Sequence, residues 1–405
     1  MRISDRKLVI RISNENIVMF IYAILALEYD LYNFFGLGSI ISGSLLTLIE
    51  IILLVMVIIT TRYRVKSHYV VYGCLIMAII GTYVLFPECR EYLQLFFAEG
   101  SSLKKVFLLP IAAQSITNPE RFVDKFYKFS VVEGYIHIIC NAIWGYGYTE
   151  WGVFNYMTYG FALIPPTCLV MQKMFSKPSK INIMTFVIFE LNILIYGHRG
   201  ALLVTMVMFG IFFMRYVRSD RKVLIGVATV ILFMLLYLLK NELIEAVISV
   251  MDNLNLESRT LQKLLTGDIT NDSERNLIWA IVGQGILSNF LLGQGIGSDR
   301  ILLEKTMRSG LYAHNFIFEL CYDYGVVIGG GVVICILVMV YKAIAKIKDE
   351  SWYRLIVPMF VPAVIGLLTS GSIYQHWTFW LSVGFYFCYF GRNRSINLAN
   401  ANEEV

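Results

Sequence analysis

Residues 271–315 read NDSERNLIWAIVGQGILSNFLLGQGIGSDRILLEKTMRSGLYAHN, and the rest of the chain is organised around this stretch. It is polar enough to lie in water, yet long apolar runs precede and follow it. It carries Arg275 and Trp279 one helical turn apart, a glycine-rich turn at 293–297, and His314 near its end. The pattern predicts a water-exposed segment that membrane-spanning helices hold in place.

The composition excludes an ordinary soluble domain. Of the 405 residues, 57% are hydrophobic and 16% are charged, and the mean hydropathy is +0.65. A typical soluble domain has about 25% charged residues. Apolar runs close to the ~20 residues that cross a ~30 Å hydrocarbon core recur along the whole chain. We therefore expect one all-α, polytopic integral membrane protein.

The apolar runs predict about twelve transmembrane helices. The predicted spans are 17–30, 39–61, 69–86, 103–117, 129–146, 154–172, 181–196, 200–216, 223–240, 314–341, 355–371 and 377–391. Segment 103–117 is the weakest of them, because its apolar core is short and contains Pro110. A re-entrant or tilted segment, buried against its neighbours, is the alternative for it.

These spans divide the chain into four parts. Residues 1–240 hold spans one to nine, residues 241–313 form one large connection, residues 314–391 hold the last three spans, and residues 392–405 are a tail. A connection of roughly seventy residues without structure would be unusual. Capping and glycine signals predict helical pieces within it at about 254–267, 271–288 and 299–308.

The basic residues predict the orientation of the chain. Clusters of arginine and lysine follow the even-numbered spans, for example at 62–66, 215–222 and 342–354, whereas short acidic or neutral connections follow the odd-numbered ones. Because positive charge accumulates in cytoplasmic loops, both termini are expected in the cytoplasm and the large 241–313 loop outside. The N-terminal sequence has no short apolar region followed by a cleavage site, so we expect no removed signal peptide.

Several classes of function lack support in the sequence. The seven cysteines are scattered singly, with no spacing typical of a zinc site or a disulfide framework. The outer loop has no Asp-x-Asp and no paired ligands at metal-binding spacing, so no metal and no cofactor is expected. The net charge of +5 comes from short clusters typical of orientation signals, so no nucleic-acid partner is expected.

Arg199 is the first candidate for function, because charged groups at membrane depth are costly to place. It follows His198 at the predicted outer junction of two spans. Positive charge outside runs against the orientation bias, and a guanidinium group can bind a diphosphate through two parallel hydrogen bonds. An arginine that merely extends to the interface is the alternative.

Arg275 and His314 are the next candidates. Arg275 shares a predicted helix face with Trp279 at i+4. A histidine at the start of a span has a pKa near neutrality and can accept a proton from a sugar hydroxyl. Its neighbour Asn315 would orient the imidazole or bind a sugar hydroxyl. For the basic and aromatic residues, an interfacial position without a catalytic role is the alternative.

The glycine-rich turn and the acidic residues of the spans complete the candidates. Gly295 and Gly297 do not follow a predicted strand, so they do not fit a dinucleotide-binding fingerprint. The turn is either a flexible connection or a nest of backbone N–H groups that binds phosphate. Glu319 and Asp323 share a helix face and are expected to pair with a buried arginine or hydroxyl groups. Other acids inside spans are expected to face protein rather than lipid: Glu50, Glu133 and Glu190.

The order of these parts resembles that of the O-antigen polymerase and O-antigen ligase superfamily. The parts are Arg199-Gly-Ala-Leu-Leu at the start of a span, one large outer loop, Arg275-x-x-x-Trp279, Leu292-Gly-Gln-Gly-Ile-Gly297, and His314-Asn315 entering the next span. The resemblance covers residues 197–330. One departure is that Phe290-Leu291 stands where the family usually has a proline before the glycine turn.

The resemblance implies a metal-independent glycosyltransferase at the outer face of the bacterial cytoplasmic (inner) membrane. Its expected partners are an undecaprenyl-diphosphate-linked glycan donor and acceptor and the lipid bilayer, with a chain-length regulator and a flippase as further candidates. Arg199 and Arg275 would bind the diphosphate, and His314 would activate or position the acceptor hydroxyl. The expected substrate-binding residues are Trp279, Asn315, Gly295, Gly297, Glu319 and His198.

Three functions remain open at this point. The first, which we favour because polymerases are numerous and vary between strains, is polymerisation of lipid-linked repeat units of an O-antigen or capsule. The second is an O-antigen ligase that transfers the polymer to the lipid A core. The third is a transporter or flippase, although such folds usually show matched halves and broken helices at the midplane.

Overall fold

The computed structural model describes residues 14–34, 51–56, 67–99, 104–145, 156–196, 199–217 and 274–403, with positions 48, 59, 245, 248 and 249. Within these residues the regular structure is helical and contains no strand, so the all-α class is confirmed. The main helices are α1 (Asn14–Phe34), α2 (Ser67–Leu85), α3 (Leu109–Ala113), α4 (Pro119–Trp144), α5 (Tyr156–Ser176), α6 (Lys180–Tyr196), α7 (Arg199–Tyr216), α8 (Arg275–Ser288), α9 (Ser298–Thr306), α10 (Phe316–Lys346), α11 (Glu350–Thr369) and α12 (Trp377–Glu403).

Most of the predicted spans coincide with a helix. The exceptions are 39–61 and 223–240, which lie largely or wholly outside the described residues, and 103–117, which is broken into Lys104–Leu108 and α3. In the large connection, α8 and α9 confirm a helix within each of the segments predicted at about 271–288 and 299–308, but α8 begins only at Arg275. The amphipathic piece predicted at 254–267 lies outside the described residues.

The expectation of about twelve transmembrane helices is not confirmed. In the described part of the chain, three helices are long and apolar enough to cross a membrane: α7, α10 and α11. A fourth span results if Val71–Leu85 and Pro87–Phe96, which are bent by 113°, are counted together. Others are too short or too polar on their own: α6 has 17 residues, and α4 carries charged residues through its first three turns.

Local sequence signals define the ends of the helices. The side chain of Asn118 accepts a hydrogen bond from the N–H of Arg121 (3.0 Å) at the start of α4. Pro119 occupies the first helical position, where its missing N–H costs nothing. The left-handed Gly145 (φ 65°) ends the helix.

The helices α7 and α11 run antiparallel. The hydroxyl of Tyr216, at the end of α7, donates a hydrogen bond to Glu350 at the start of α11 (2.6 Å). Arg199, at the start of α7, therefore lies at the same end of the helix bundle as Ser370, which directly follows α11. We call this end the site end.

The opposite end of the bundle is basic. Lys173 and Arg354 both contact the carboxylate of Asp124 (3.5 and 3.3 Å), and Lys125 donates a hydrogen bond to Asn16 (2.7 Å). These residues belong to the clusters that the orientation rule assigns to one side of the membrane. The basic end and the site end are thus separated by the length of the bundle.

Buried acids inside the bundle face protein, as the sequence predicts. Glu133 of α4 is 1% exposed and accepts a hydrogen bond from the hydroxyl of Tyr22 (2.9 Å). Glu190 of α6 accepts one from Thr205 (2.7 Å). Glu50 lies outside the described residues.

A break in α10 holds the glycine-rich turn in place. Gly325 has φ 75° and ψ 165°, which interrupts the helical hydrogen bonds. The N–H groups of Gln294 and Gly295 donate to carbonyls of the turn before the break (3.0 and 2.9 Å), and the N–H of Val326 donates to the carbonyl of Phe290 (2.8 Å). The glycine-rich turn therefore replaces the hydrogen bonds that the broken helix lacks.

Candidate functional site

The loop before α10 is held by Trp279 of α8. The indole N–H of Trp279 donates a hydrogen bond to the carbonyl of Ala313 (2.9 Å), and its ring stacks on Phe318 with 5.9 Å between centroids. A buried indole needs such a partner for its single donor. Because this donor is already engaged, the geometry gives Trp279 a role in positioning the backbone next to His314.

His314 has an unusual backbone conformation and an unusual environment. Its φ of 53° lies in the left-handed region, which non-glycine residues seldom adopt. Its ring lies against Tyr312, with 3.7 Å between the centroids. The Nδ1 atom is buried, and none of the residues that the structure describes forms a hydrogen bond with it. Such strain and isolation are typical of functional positions.

The charges of two arginines act on His314. Burial of the imidazole, together with the charges of Arg275 and Arg300, lowers the pKa of His314 to about 3. The imidazole is therefore neutral at pH 7, which is the form that can accept a proton.

The sequence-predicted catalytic residues lie at one end of the bundle. Arg275 begins α8 and is close enough to His314 for its charge to act on the imidazole. Arg199 begins α7 and lies at the site end. His198 lies outside the described residues.

The side chain of Asn315 forms hydrogen bonds with two helices. Its side-chain oxygen accepts a hydrogen bond from the N–H of Ile317 (2.9 Å), which caps α10. Its side-chain nitrogen donates to the carbonyl of Leu368 near the end of α11 (3.2 Å). These contacts explain why an asparagine occupies this position: its side chain joins α10 to α11.

Arg300 is the centre of a buried ionic network that the sequence did not point to. One Nη atom contacts Asp299 (2.8 Å) and Glu319 (3.4 Å), and the guanidinium lies over the ring of Phe96 at 4.4 Å. Burial alone would lower the pKa of Arg300, but attraction to its carboxylate partners outweighs burial and raises it. The arginine is therefore charged at every physiological pH.

The acids of α10 have the partners that the sequence predicts. Glu319 also accepts hydrogen bonds from the hydroxyl of Ser372 (2.5 Å) and the N–H of Ile373 (3.0 Å). Asp323 accepts one from the hydroxyl of Tyr374 (2.9 Å). The pairing of Glu319 and Asp323 with a buried arginine and hydroxyl groups is thus confirmed. The network ties α9, α10 and the turn between α11 and α12 into one unit.

The glycine-rich turn is close-packed against the break in α10. A Cβ atom on Gly293 would lie 2.4 Å from the backbone nitrogen of Gly325, and one on Gly295 would lie 2.8 Å from the ring of Phe86. Gly297 (φ 82°) would bring a Cβ atom within 2.9 Å of Tyr92. This close packing explains why glycines occupy the turn, and it needs no flexibility of the turn. The N–H of Gly295 already donates to the carbonyl of Asp323, so a phosphate-binding nest is not needed to explain it either.

Two cavities adjoin at the site end. One, of about 330 Å³, reaches Glu133 and Trp377, and the other, of about 370 Å³, is lined by Arg300 and Phe96. Their shared wall consists of Tyr312, Gly371, Gln375 and His376. His314 does not line either cavity, but its ring packs against Tyr312, which belongs to the shared wall.

The sequence offered only weak signals for Arg300, Tyr312 and His376. Arg300 follows Ser298-Asp299 directly after the glycine turn, and no periodicity marks it as buried. His376 directly precedes α12; burial lowers its pKa to about 4, and its Nδ1 lies 2.9 Å from the hydroxyl of Thr378. No three His, Cys, Asp or Glu side chains in the described ranges are grouped so that they could hold a metal ion.

Comparison with protein families supports the resemblance that the sequence indicates. Residues 184–333 match a family model described as O-antigen ligase. The matched segment begins in α6 and ends in α10, so it contains Arg199, Arg275 and His314. No curated protein matched the chain significantly.

Proposed function

We propose that this chain, for which the family match supports the O-antigen polymerase and ligase superfamily, polymerises lipid-linked glycan repeat units in a bacterial membrane. The superfamily implies a multi-pass membrane protein and lipid-linked glycan substrates. In our proposal the donor is an undecaprenyl-diphosphate-linked chain, and the acceptor is the terminal sugar of a new lipid-linked repeat unit.

The observation that carries the proposal is the neutral imidazole of His314, which has a left-handed backbone, packs against Tyr312 and lies within reach of the charges of two arginines. Arg275 and Arg300 act on His314 electrostatically, which requires them to be near it. A base next to positive charge suits a reaction in which a hydroxyl attacks and a diphosphate leaves. The two adjoining cavities provide separate spaces for two substrates.

The proposed reaction is a direct displacement. The acceptor oxygen forms a bond to the anomeric carbon of the donor, and the bond from that carbon to the diphosphate oxygen breaks. The hydroxyl proton moves to His314, and the negative charge of the departing lipid diphosphate is neutralised by Arg199 and Arg275. Attack opposite the leaving group inverts the anomeric carbon, so retention of configuration in a single linkage would rule out this route.

The site end faces the outside in our proposal. The basic end holds the arginine and lysine clusters, and such clusters mark cytoplasmic loops. Because nucleotide sugars are cytoplasmic, a transferase at the outer face needs a donor that is already attached to a lipid. This requirement fits the arginines at the site end, which would hold a diphosphate.

Single substitutions test the enzyme proposal. His314→Gln, Arg275→Gln and Arg199→Gln should each leave single repeat units on the lipid in a deletion strain that expresses the variant. Arg308→Gln is the matched control, because this exposed arginine pairs with Glu274 on the outer surface (3.0 Å). Normal polymer from all three site variants, at equal membrane protein levels, would refute the proposal and favour a transporter.

The ligase is the second candidate, because the matching family model carries that description. The two functions differ in what accumulates when the gene is deleted. Single lipid-linked repeats indicate a polymerase, whereas full-length polymer stranded on its lipid carrier indicates a ligase. The glycan profile of a deletion strain therefore decides between them.

A further inference from the structure

The turn between α8 and α9 exposes a contiguous apolar tip. Leu287, Leu291 and Leu292 are 74%, 65% and 79% exposed, and Phe290 is 47% exposed. In a segment surrounded by water, a cluster of exposed large apolar side chains would need a partner. We call residues 287–292 the apolar tip.

The apolar tip lies beside the lipid-facing surface of a span. The carbonyl of Phe290 accepts a hydrogen bond from the N–H of Val326 (2.8 Å), inside α10. The residues that follow on α10, Val327 and Ile328, are themselves 62% and 57% exposed. Because α10 is apolar enough to cross a membrane, these exposed side chains face hydrocarbon.

The depth of the tip follows from the length of the span. Lys342 is the first basic residue towards the basic end of α10, and the helix from Val326 to Lys342 is uninterrupted after the break at Gly325. At a rise of about 1.5 Å per residue this helix covers about 24 Å of the ~30 Å hydrocarbon core, so Val326 lies roughly 6 Å inside the other boundary. The tip, which is bonded to Val326, reaches the same level.

The backbone on both sides of the tip's apex is paired within the protein. Non-helical segments are tolerated at membrane depth only where their polar groups are paired within the protein. The N–H of Asn289 donates to the end of α8, the N–H of Gly293 donates to Asn289 (3.2 Å), and the next two N–H groups donate to the broken turn of α10. The break at Gly325 thus supplies partners for the carbonyl of Phe290 and for the two N–H groups that follow Gly293.

A second helix continues the apolar surface on the other side. At the end of α2, Val84 and Leu85 are 61% and 70% exposed. The hydroxyl of Thr82, one turn earlier, accepts a hydrogen bond from the N–H of Ile296 in the glycine-rich turn (3.2 Å). The tip is therefore flanked by apolar surfaces of α2 and α10.

We infer that the apolar tip is a re-entrant wedge whose partner is the lipid hydrocarbon of the leaflet at the site end. The tip anchors α8 and α9, so that Arg275 and Arg300 are held at the membrane boundary, where a lipid-linked anion would lie. This anchoring depends on the membrane and the fold alone, and it holds whichever glycan the enzyme transfers.

Cysteine labelling in intact membranes tests the inference. In a background with the exposed Cys74 and Cys335 changed to alanine, we compare Leu292→Cys with the water-side control Ser309→Cys, which is also exposed. A charged, membrane-impermeant maleimide should react at least tenfold more slowly at position 292 than at 309. After denaturation in detergent the two rates should be equal. Labelling rates within threefold of each other in membranes would overturn the inference.

A nitroxide label at position 292 shows whether lipid or another protein surface covers the apolar tip. If hydrocarbon surrounds the tip, collisions with dissolved oxygen should greatly exceed collisions with a water-soluble nickel chelate. If another protein surface covers the tip, both collision rates should be low, and this outcome would also overturn the inference. Polymer production by each labelled variant in the deletion strain verifies that the protein is folded.

Discussion

Replacing Arg300 by methionine removes the cation that pairs with both of the buried carboxylates Asp299 and Glu319. Methionine has a similar length and no charge, so the change isolates the guanidinium. In the variant, two carboxylates that are 0% and 1% exposed lose their cation.

The magnitude follows from the burial of the network. Removing one partner of a buried ion pair costs about 3–5 kcal/mol, because the other charge remains desolvated. With an unfolding entropy of about 2.1 cal/mol/K per residue, a chain of 405 residues shifts its Tm by about 1.2 °C for each kcal/mol. We therefore expect Arg300→Met to lower the Tm by about 4–6 °C.

The matched control is Arg308→Met. Arg308 pairs with Glu274, but these side chains are 63% and 50% exposed. Exposed pairs contribute about 0–1 kcal/mol, so the control should change the Tm by about 1 °C or less. Thermal unfolding of purified protein in detergent, followed by fluorescence-detected size exclusion, measures both variants under the same conditions.

A double substitution refines the test. Adding Glu319→Gln to Arg300→Met removes one of the stranded charges, so part of the lost stability should return. Equal Tm values for Arg300→Met and the wild type would refute the argument, since they would mean that the buried carboxylates need no cation. A double variant less stable than the sum of its single changes would also contradict it.

The remaining predictions concern three other residues. Folding lowers the pKa of His314 from 6.5 to about 3. Between these two pH values the unfolded chain binds a proton that the folded chain does not, so stability falls as the pH drops from 6.5 towards 3. His314→Gln should flatten that part of the Tm–pH curve. Gly293→Ala should lower the Tm by several degrees because its Cβ atom would meet the backbone of Gly325, whereas Gly331→Ala, with nothing within 4 Å, should change it little. Trp279→Phe keeps the ring but loses the indole donor, so polymer length on gels should fall while the Tm drops by about 1–2 °C for a hydrogen bond of about 1 kcal/mol.

The sequence predicts what depends on local pattern. Apolar runs of sufficient length located most of the helices, and α8 and α9 were located to within a few residues. The capping signal for α8 is not confirmed, because Glu274 precedes the helix with a left-handed backbone and makes no side-chain cap. The pairing of Glu319 and Asp323 was predictable because a buried carboxylate requires a partner of either a cationic or a hydroxyl type. The number of membrane spans was harder to predict from the sequence. Several apolar runs are hydrophobic enough in a hydropathy window, but the helices that they form are short or carry charged residues.

The partners themselves were not predictable, because they come from distant parts of the chain. Arg300 meets Glu319 and the ring of Phe96, and nothing within the polar stretch around Arg300 indicates burial. Gly293 contacts Gly325 across a separation that no short motif encodes. Asn315 is equally suited to a cap and to a sugar hydroxyl, so its residue type alone did not choose between them.

The pKa of His314 has a consequence for the order of events in the proposed reaction. An imidazole with a pKa of about 3 is neutral but a weak base, because burial and the charges of Arg275 and Arg300 oppose its protonation. A bound diphosphate would offset those positive charges and raise the pKa of His314 towards 6.5, which strengthens the base only when the donor is present. Since activity is lost once the base is protonated, the acid limb of kcat, which reports the substrate complex, should lie at higher pH than the acid limb of kcat/KM, which reports the free enzyme. Acid limbs at the same pH in both profiles would show that the donor does not act on this imidazole, and would remove His314 from the role of base.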